Sequence, residues 1–181
     1  MSDKTDFAKA YQTVGEYFCA FSELDRELGE AVKVVLGLTM HPAGDFVVAA
    51  LMDPARKGNL VLAAVAVAKN ADRSEPSPKW KKSAEKTVKK ALNHNEQTRV
   101  PLAHSYLDPQ ADGLVRVTRL KLRDGQLTGE PKPWKLQDKI KEAREITKKL
   151  QKITTDLSEL KIPELDWLVS LSEPALLTLR H

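Results

Sequence analysis

Arg99, His104 and Tyr106 are the residues of this 181-residue sequence whose types and spacing best suit chemistry. Arginine stays charged and binds phosphate oxygens through a planar guanidinium group, while histidine takes up and releases a proton near neutral pH. A cation, an imidazole and a phenol so close together could bind a phosphodiester and move protons during its cleavage. A structural role is the alternative, in which His104 bonds a neighbouring helix and Arg99 caps carbonyl groups.

The residues around this motif predict that a helix begins at it. Proline has no amide donor and is favoured in the first helical turn, so Pro101 predicts a helix start near Val100, with Thr98 or Arg99 in the capping region. His104 would then lie in the first turn. Unpaired backbone amides and the positive end of the helix dipole attract anions there, and they would add to the charge of Arg99.

At these residues the chain resembles the HEPN superfamily (higher eukaryotes and prokaryotes nucleotide-binding domains), whose members carry Arg, four to six residues and then His near the start of a bundle helix. Arg99 and His104 fit that spacing, and Tyr106 completes the Arg-x4-His-x-Tyr form of HEPN toxins from toxin–antitoxin pairs. Val100 stands where many members have Asn or another polar residue. The resemblance implies a helical bundle, metal-independent endoribonuclease activity and a homodimer whose two motifs face each other.

The resemblance also implies a role for each residue of the motif. His104 would take the proton from the ribose 2′-hydroxyl group as it attacks phosphorus, or would protonate the leaving oxygen. Arg99 would hold the phosphate and neutralise its growing charge, and Tyr106 would orient the phosphate or receive a regulatory modification. The implied partners are RNA, a second copy of the chain, and an antitoxin or another protein.

The sequence lacks the usual motifs of metal-dependent and nucleotide-dependent enzymes. It contains no His-Glu-x-x-His, no paired cysteines, no phosphate-binding glycine loop and no Gly-x-Ser-x-Gly. Cys19 alone can form no internal disulfide, no secretion signal is recognised, and the longest apolar run, 60–68, is too short to cross a bilayer. We therefore expect a cytoplasmic protein that uses no cofactor or metal and contacts no membrane.

Positive charge is concentrated in the middle of the sequence. Residues 76–152 carry 19 Lys and Arg against 9 Asp and Glu, whereas the segments on either side are acidic. A basic segment is typical of a surface that binds a polyanion, because neutralising phosphates releases counterions. The predicted nucleic-acid-binding residues are Lys81, Lys82, Lys86, Lys89, Lys90, Arg116 and Arg119. The alternatives are a solvated lysine-rich face and, for the arginines, protection of a strand edge.

Helical periodicity dominates the chain and predicts an all-α fold. Apolar residues recur at helical spacing over 6–36, 55–69, 78–95 and 134–160. In the first range they repeat as a heptad, with Tyr11 and Phe21 expected in the core stripe, and Gly37 is the expected stop. Ser77-Pro78 predicts the start of the helix at 78–95. His94 is expected on the polar surface. A turn is expected after Tyr106, and an Asp124-Gly125 turn signal predicts one β-hairpin at about 113–130, closed by Pro131 and Pro133.

We therefore expect a HEPN-like helical bundle of about five helices with an inserted hairpin over residues 1–162. An apolar tail, 163–181, would dock on the body or on a second subunit.

Two functional hypotheses follow from the sequence. The first is a metal-independent endoribonuclease, of toxin type or related to defence, that cleaves RNA by 2′-hydroxyl attack at Arg99 and His104. The second is a non-catalytic HEPN-like helical module that binds nucleic acid or a partner protein through its basic surface. Val100 favours the second hypothesis because it replaces a polar residue of the family motif.

Overall fold

A computed structural model describes residues 3–41, 43–109, 114–123 and 126–162 of the chain. The helices are α1 (Asp3–Val35), α2 (Gly44–Leu51), α3 (Pro54–Val67), α4 (Pro78–His94), the short α5 (Val100–Ala103) and α6 (Leu136–Glu159). The strands are β1 (Tyr106–Pro109), β2 (Val115–Arg123) and β3 (Gln126–Trp134). The prediction of a mostly helical chain is therefore confirmed. The predicted apolar tail, 163–181, lies outside the described residues.

The described residues cluster into two compact units. The first unit contains the residues up to Leu24 and Asn93–Ile146, and the second contains Asp25–Leu92 and the residues from Thr147 onward. The core of the first unit includes Ala10, Tyr17, Ala20, Phe21, Leu24, Leu102, Val115, Val117, Leu136, Ile140 and Ala143. The core of the second includes Leu28, Val32, Val35, Val48, Val61, Val65, Val88, Ala91, Leu150, Ile153 and Leu157. No helix in the described part has the length and apolar character that a membrane-spanning segment needs.

The buried stripe of α1 differs from the predicted heptad stripe at its N-terminal end. Tyr11, which was expected in the core, is 60 % exposed, whereas Tyr17 is fully buried. Tyr17 and Val35 are separated by about five full turns of 3.6 residues, so they lie on one line of the helix. A heptad repeat drifts by about 20° per repeat on a straight helix, which carries Tyr11 away from the core.

Local signals in the sequence set the ends of the helices. Gly37 follows α1 with a φ of 66°, a left-handed conformation that favours glycine. The amide of Leu38 donates to the carbonyl of Lys33 at 2.8 Å, as in a Schellman motif, and the predicted stop at Gly37 is confirmed. At the start of α4, the Ser77 hydroxyl accepts a hydrogen bond from the amide of Trp80 at 3.2 Å, as a serine before proline predicts.

The sheet is larger than the predicted hairpin. Its strand order is β1-β2-β3, with both pairs antiparallel, so the hairpin extends to Trp134 rather than to residue 130. Residues 106–109 form a strand where a turn was expected after Tyr106. Pro131 and Pro133 lie inside β3 instead of closing the hairpin. An edge strand tolerates proline because the amides on its open side have no partner strand to bond.

The chain passes from α4 into α5 without a new helix start. Residues Asn95–Arg99 form a π-helical turn, in which the amide of Val100 donates to the carbonyl of Asn95. Pro101 cannot donate to the carbonyl four residues earlier and its ring clashes with that carbonyl, so the wider turn lets the helix continue. α5 does begin at Val100, but the predicted free helix start with a capping residue is wrong, because Arg99 has helical dihedral angles and its side chain makes no capping hydrogen bond. The amide of Val100, expected to be free for an anion, is already bonded.

Candidate functional site

The three residues of the predicted catalytic motif lie in the first unit, at the end of this helical segment. Arg99 is partly buried, and its guanidinium carbon is 6.0 Å from the centre of the Phe21 ring, which is a cation–π distance. His104 is exposed and follows α5, with its amide donating to the carbonyl of Val100 at 3.1 Å. His104 therefore ends a helix instead of lying in its first turn. Tyr106 begins β1, and its side chain lies outside the described residues.

The sheet brings the end of this motif next to one predicted binding arginine. Tyr106 pairs with Thr118 of β2, and Asp108 pairs with Arg116. Nη1 of Arg116 is 3.8 Å from Oδ2 of Asp108, and 45 % of the arginine side chain is exposed. The side chain of Arg119 is outside the described part of the chain. Arg116 is therefore accessible but already close to a carboxylate.

A buried histidine forms an enclosed polar cluster in the first unit. His94 is 2 % exposed, its ring stacks on Phe21 at 6.4 Å, and its Nε2 is 3.3 Å from the Tyr17 hydroxyl group. Its Nδ1 is 3.5 Å from Oε2 of Glu142 and makes no hydrogen bond within the described residues. His94 directly precedes the π-helical turn and Arg99 is its last residue, and both side chains lie near the Phe21 ring.

The prediction that His94 lies on the polar surface is therefore wrong. Its asparagine neighbours in sequence suggested exposure, but His94 lies three residues after Ala91 and seven after Thr87, and both of these are buried. Residues at this spacing share one side of a helix. The helical periodicity of α4 was thus a signal that could have identified His94 as an inward residue.

Burial controls protonation in this cluster. Loss of hydration lowers the pKa of His94, although the nearby carboxylate of Glu142 opposes this shift, and burial raises the pKa of Tyr17. The ammonium group of Lys139, 2.9 Å from Oε2 of Glu142, lowers the pKa of that carboxyl group. At neutral pH the Tyr17 phenol therefore keeps its proton and can donate it to Nε2. Neutral His94 then carries its own proton on Nδ1, which faces Glu142.

His94 is expected to make the folded state sensitive to mild acid. Its pKa is held below the ordinary value of 6.5, so its contribution to stability is present above that pH and is lost as the pH falls. Between pH 7.5 and 5.5 this linkage lowers the free energy of unfolding by at most about 1.4 kcal/mol. Urea unfolding at both pH values should show this loss in the wild type and a smaller one in His94→Leu. Equal losses in the two proteins would contradict the assignment.

The second unit carries four exposed lysines along one side of α4, here called the α4 lysine surface: Lys82, Lys86, Lys89 and Lys90. The Lys89 ammonium group is 3.4 Å from the Glu85 carboxylate, one helical turn away. Lys81 differs from these four because its ammonium group pairs with Glu75 and donates to the carbonyl of Ala66 at 3.1 Å. Four of the five predicted lysines are thus accessible to a ligand, whereas Lys81 stabilises the loop before α4.

A groove of about 350 Å³ lies between α4 and α6 in the second unit. Its lining combines three lysines, three hydroxyl groups, an indole, two aliphatic side chains and one carboxylate: Lys79, Lys149, Lys152, Ser77, Ser83, Thr87, Trp80, Ala84, Ile153 and Asp156. The indole Nε1 of Trp80 donates to Oδ2 of Asp156 at 2.8 Å. Lys79 belongs to the helix that the sequence predicted at 78–95, but spacing within α6 could not show that Lys149 and Lys152 line a groove with this helix.

The described side chains therefore offer two kinds of chemistry. In the first unit, an exposed imidazole follows a partly buried guanidinium group by five residues. In the second unit, three lysines and an indole line one groove. Among the described residues, no group of three or more His, Cys, Asp or Glu side chains is placed to hold a metal ion. Comparisons of this chain with protein family models, curated proteins and solved structures found no match.

Proposed function

We propose that this protein binds RNA through the α4 lysine surface. The observation that carries the proposal is the exposure of four lysines on one side of α4: Lys82, Lys86, Lys89 and Lys90. Lys86, Lys89 and Lys90 follow Lys82 by four, seven and eight residues, so the four side chains present a continuous row of ammonium groups on one side of the helix. Such a row suits a polyanion because each phosphate that is neutralised releases condensed counterions.

The composition of α4 favours a bound polyanion over a merely solvated face. The helix contains one acidic residue, Glu85, against six lysines. Lys82 and Lys86, and likewise Lys86 and Lys90, are like charges four residues apart, and each such pair destabilises a helix by about 0.2–0.5 kcal/mol. A helix that needed only solubility could avoid this cost with interspersed glutamates. Phosphates bound along the row would remove the repulsion.

The first experiment is a salt titration of RNA binding by the wild-type chain. A short labelled single-stranded RNA is mixed with the purified protein, and fluorescence anisotropy is measured at several NaCl concentrations. With four phosphate contacts to a single strand, the logarithm of the association constant should fall with a slope of about −3 against the logarithm of salt concentration. Absence of binding at low salt, or binding that salt does not weaken, would overturn the proposal.

Metal-independent cleavage of RNA by a HEPN-like module is a second candidate function, and the exposure of His104 favours it. An accessible imidazole could take the proton from a ribose 2′-hydroxyl group, and Arg99 lies five residues earlier in the chain. Arg99 is only partly buried, so its guanidinium group could leave the Phe21 ring and bind a phosphate. A homodimer with two facing motifs would supply a second pair of these residues.

The cleavage hypothesis predicts a large loss of rate in His104→Ala. Structured and unstructured RNAs are incubated in EDTA with the wild type, His104→Ala and Arg99→Ala, and the products are examined for 2′,3′-cyclic phosphate ends. Loss of a general acid–base group should lower the rate by about 10²–10⁴-fold. His41→Ala is the matched control, since His41 is also an exposed histidine. Cleavage that persists in both motif variants would rule out this mechanism.

A further inference from the structure

We propose that the groove between α4 and α6 binds one unpaired nucleotide of a single-stranded nucleic acid, with the base against Trp80 and a phosphate on Lys149 and Lys152. The proposal rests on the nucleic-acid binding proposed above and names the form of nucleic acid that this surface selects. It is carried by the lining of the groove, in which an indole and ammonium groups from two helices meet.

The size of the groove suits a single nucleotide. Its volume of about 350 Å³ is near the lower end of the range for small-molecule sites, which is roughly 300–1,000 Å³. Trp80 is partly exposed, and its hydrogen bond to Asp156 holds the indole in one orientation. A preoriented ring is a good stacking partner because less side-chain freedom is lost when a base binds. Ala84 and Ile153 also line the groove, although both residues are almost wholly buried.

The charges of the groove suit a phosphate group. Lys79, Lys149 and Lys152 contribute three ammonium groups, against the single carboxylate of Asp156. That carboxylate accepts the indole N–H, so part of its hydrogen-bonding capacity serves to position Trp80. The hydroxyl group of the exposed Ser83 lines the same groove and could bond the sugar or the edge of a base, whereas the buried Thr87 hydroxyl donates to the carbonyl of Ser83 at 2.9 Å.

The groove also continues the α4 lysine surface. Lys82 and Lys86 follow Lys79 by three and seven residues, so the three lysines lie on one side of α4. The distance along the helix from Lys79 to Lys90 is about 16 Å, which is the length of a few nucleotides. A strand that follows this row would therefore pass the groove. Only an unpaired base exposes its face to an aromatic side chain, because the bases of a duplex are stacked on one another.

The test compares the binding of four probes by fluorescence anisotropy at one salt concentration. The probes are a single-stranded RNA, its duplex, a single-stranded DNA of the same sequence and inorganic polyphosphate. The wild type should bind the single-stranded RNA at least about 10-fold more tightly than the duplex or polyphosphate. The DNA should retain most of this affinity because stacking and phosphate contacts need no 2′-hydroxyl group. Equal binding of single strand and duplex, or loss of DNA binding, would overturn the proposal.

Three variants locate the effect in the groove. Trp80→Leu should weaken single-strand binding about 10-fold and leave duplex binding unchanged. Lys149→Gln/Lys152→Gln alters two exposed side chains, and it should also weaken single-strand binding while the fold, checked by circular dichroism, is retained. Asp156→Asn keeps an acceptor for the indole but removes the negative charge, so binding should become tighter. The matched control is Lys141→Gln/Arg144→Gln, an exposed pair with the same spacing on α6.

The outcomes separate the two proposals. If the wild type binds both RNA forms equally and the groove variants bind like the control, the groove proposal fails while RNA binding by the α4 lysine surface stands. If the wild type binds no RNA at any salt concentration, the proposed function fails and the groove proposal fails with it.

Discussion

Replacing Lys82, Lys86, Lys89 and Lys90 together by glutamate is expected to lower the affinity for single-stranded RNA by more than about 100-fold at physiological salt. All four side chains are exposed in the structure, so the substitutions should not disturb the core. Loss of four phosphate contacts should also weaken the salt dependence: the slope of the logarithm of the association constant against the logarithm of salt concentration should become less negative by about 3. Anisotropy titrations of both proteins over a range of NaCl concentrations measure the two effects.

The control for this variant changes the net charge by the same amount elsewhere. Arg26, Lys135, Lys141 and Arg144 are exposed and lie outside the α4 lysine surface. Replacing these four by glutamate should weaken RNA binding much less and leave most of the salt slope. A similar loss of affinity in both variants would mean that overall charge, rather than one surface, governs binding.

Asp25→Ala is expected to lower the free energy of unfolding by about 3–5 kcal/mol, because it leaves a buried charge without its partner. Nζ of Lys57 is 2.9 Å from both carboxylate oxygens of Asp25, and the lysine side chain is 5 % exposed. An unpaired ammonium group in this position loses hydration without a compensating ion pair. Urea unfolding followed by circular dichroism at neutral pH measures the loss.

The double variant Asp25→Ala/Lys57→Met separates charge from packing. Methionine keeps the length of the lysine stem but carries no charge, so the double variant should recover most of the lost stability. A double variant as unstable as Asp25→Ala would show that the loss comes from packing around Asp25 and would contradict the electrostatic explanation.

The helical elements were predictable because their signals are local. Gly37 and Ser77 lie within four residues of the backbone groups they terminate or cap, and their types alone indicated helix ends. The apolar periodicity of α6 likewise predicted a long amphipathic helix, which the structure confirms at Leu136–Glu159. The predicted hairpin is formed by β2 and β3, but its strand ends were not predicted, because proline is tolerated at a sheet edge that the sequence does not reveal.

Predictions from the sequence were wrong where one residue changes the conformation of a neighbouring turn, and where a helix packs against residues that are distant in sequence. Pro101 predicted a helix start, although the preceding residues widen into a π-helical turn that accommodates its ring. Tyr11 and Tyr17 are both aromatic residues of α1. Tyr17 is buried and Tyr11 is exposed because only one side of α1 packs against the core. His94 has polar neighbours in sequence but apolar and aromatic neighbours in space.

The sequence by itself determined the mainly helical fold, the concentration of lysines on α4 and the motif of Arg99, His104 and Tyr106. These features depend only on the types of residues and on their spacing over a few positions. Helices in particular form through backbone sterics and hydrogen bonds between residues that are close in sequence. The tertiary structure alone decided that His94 meets Tyr17, 77 residues away, and that Lys149 and Lys152 line a groove with Trp80. Such long-range contacts depend on how whole helices pack against one another, and no short-range rule specifies that packing.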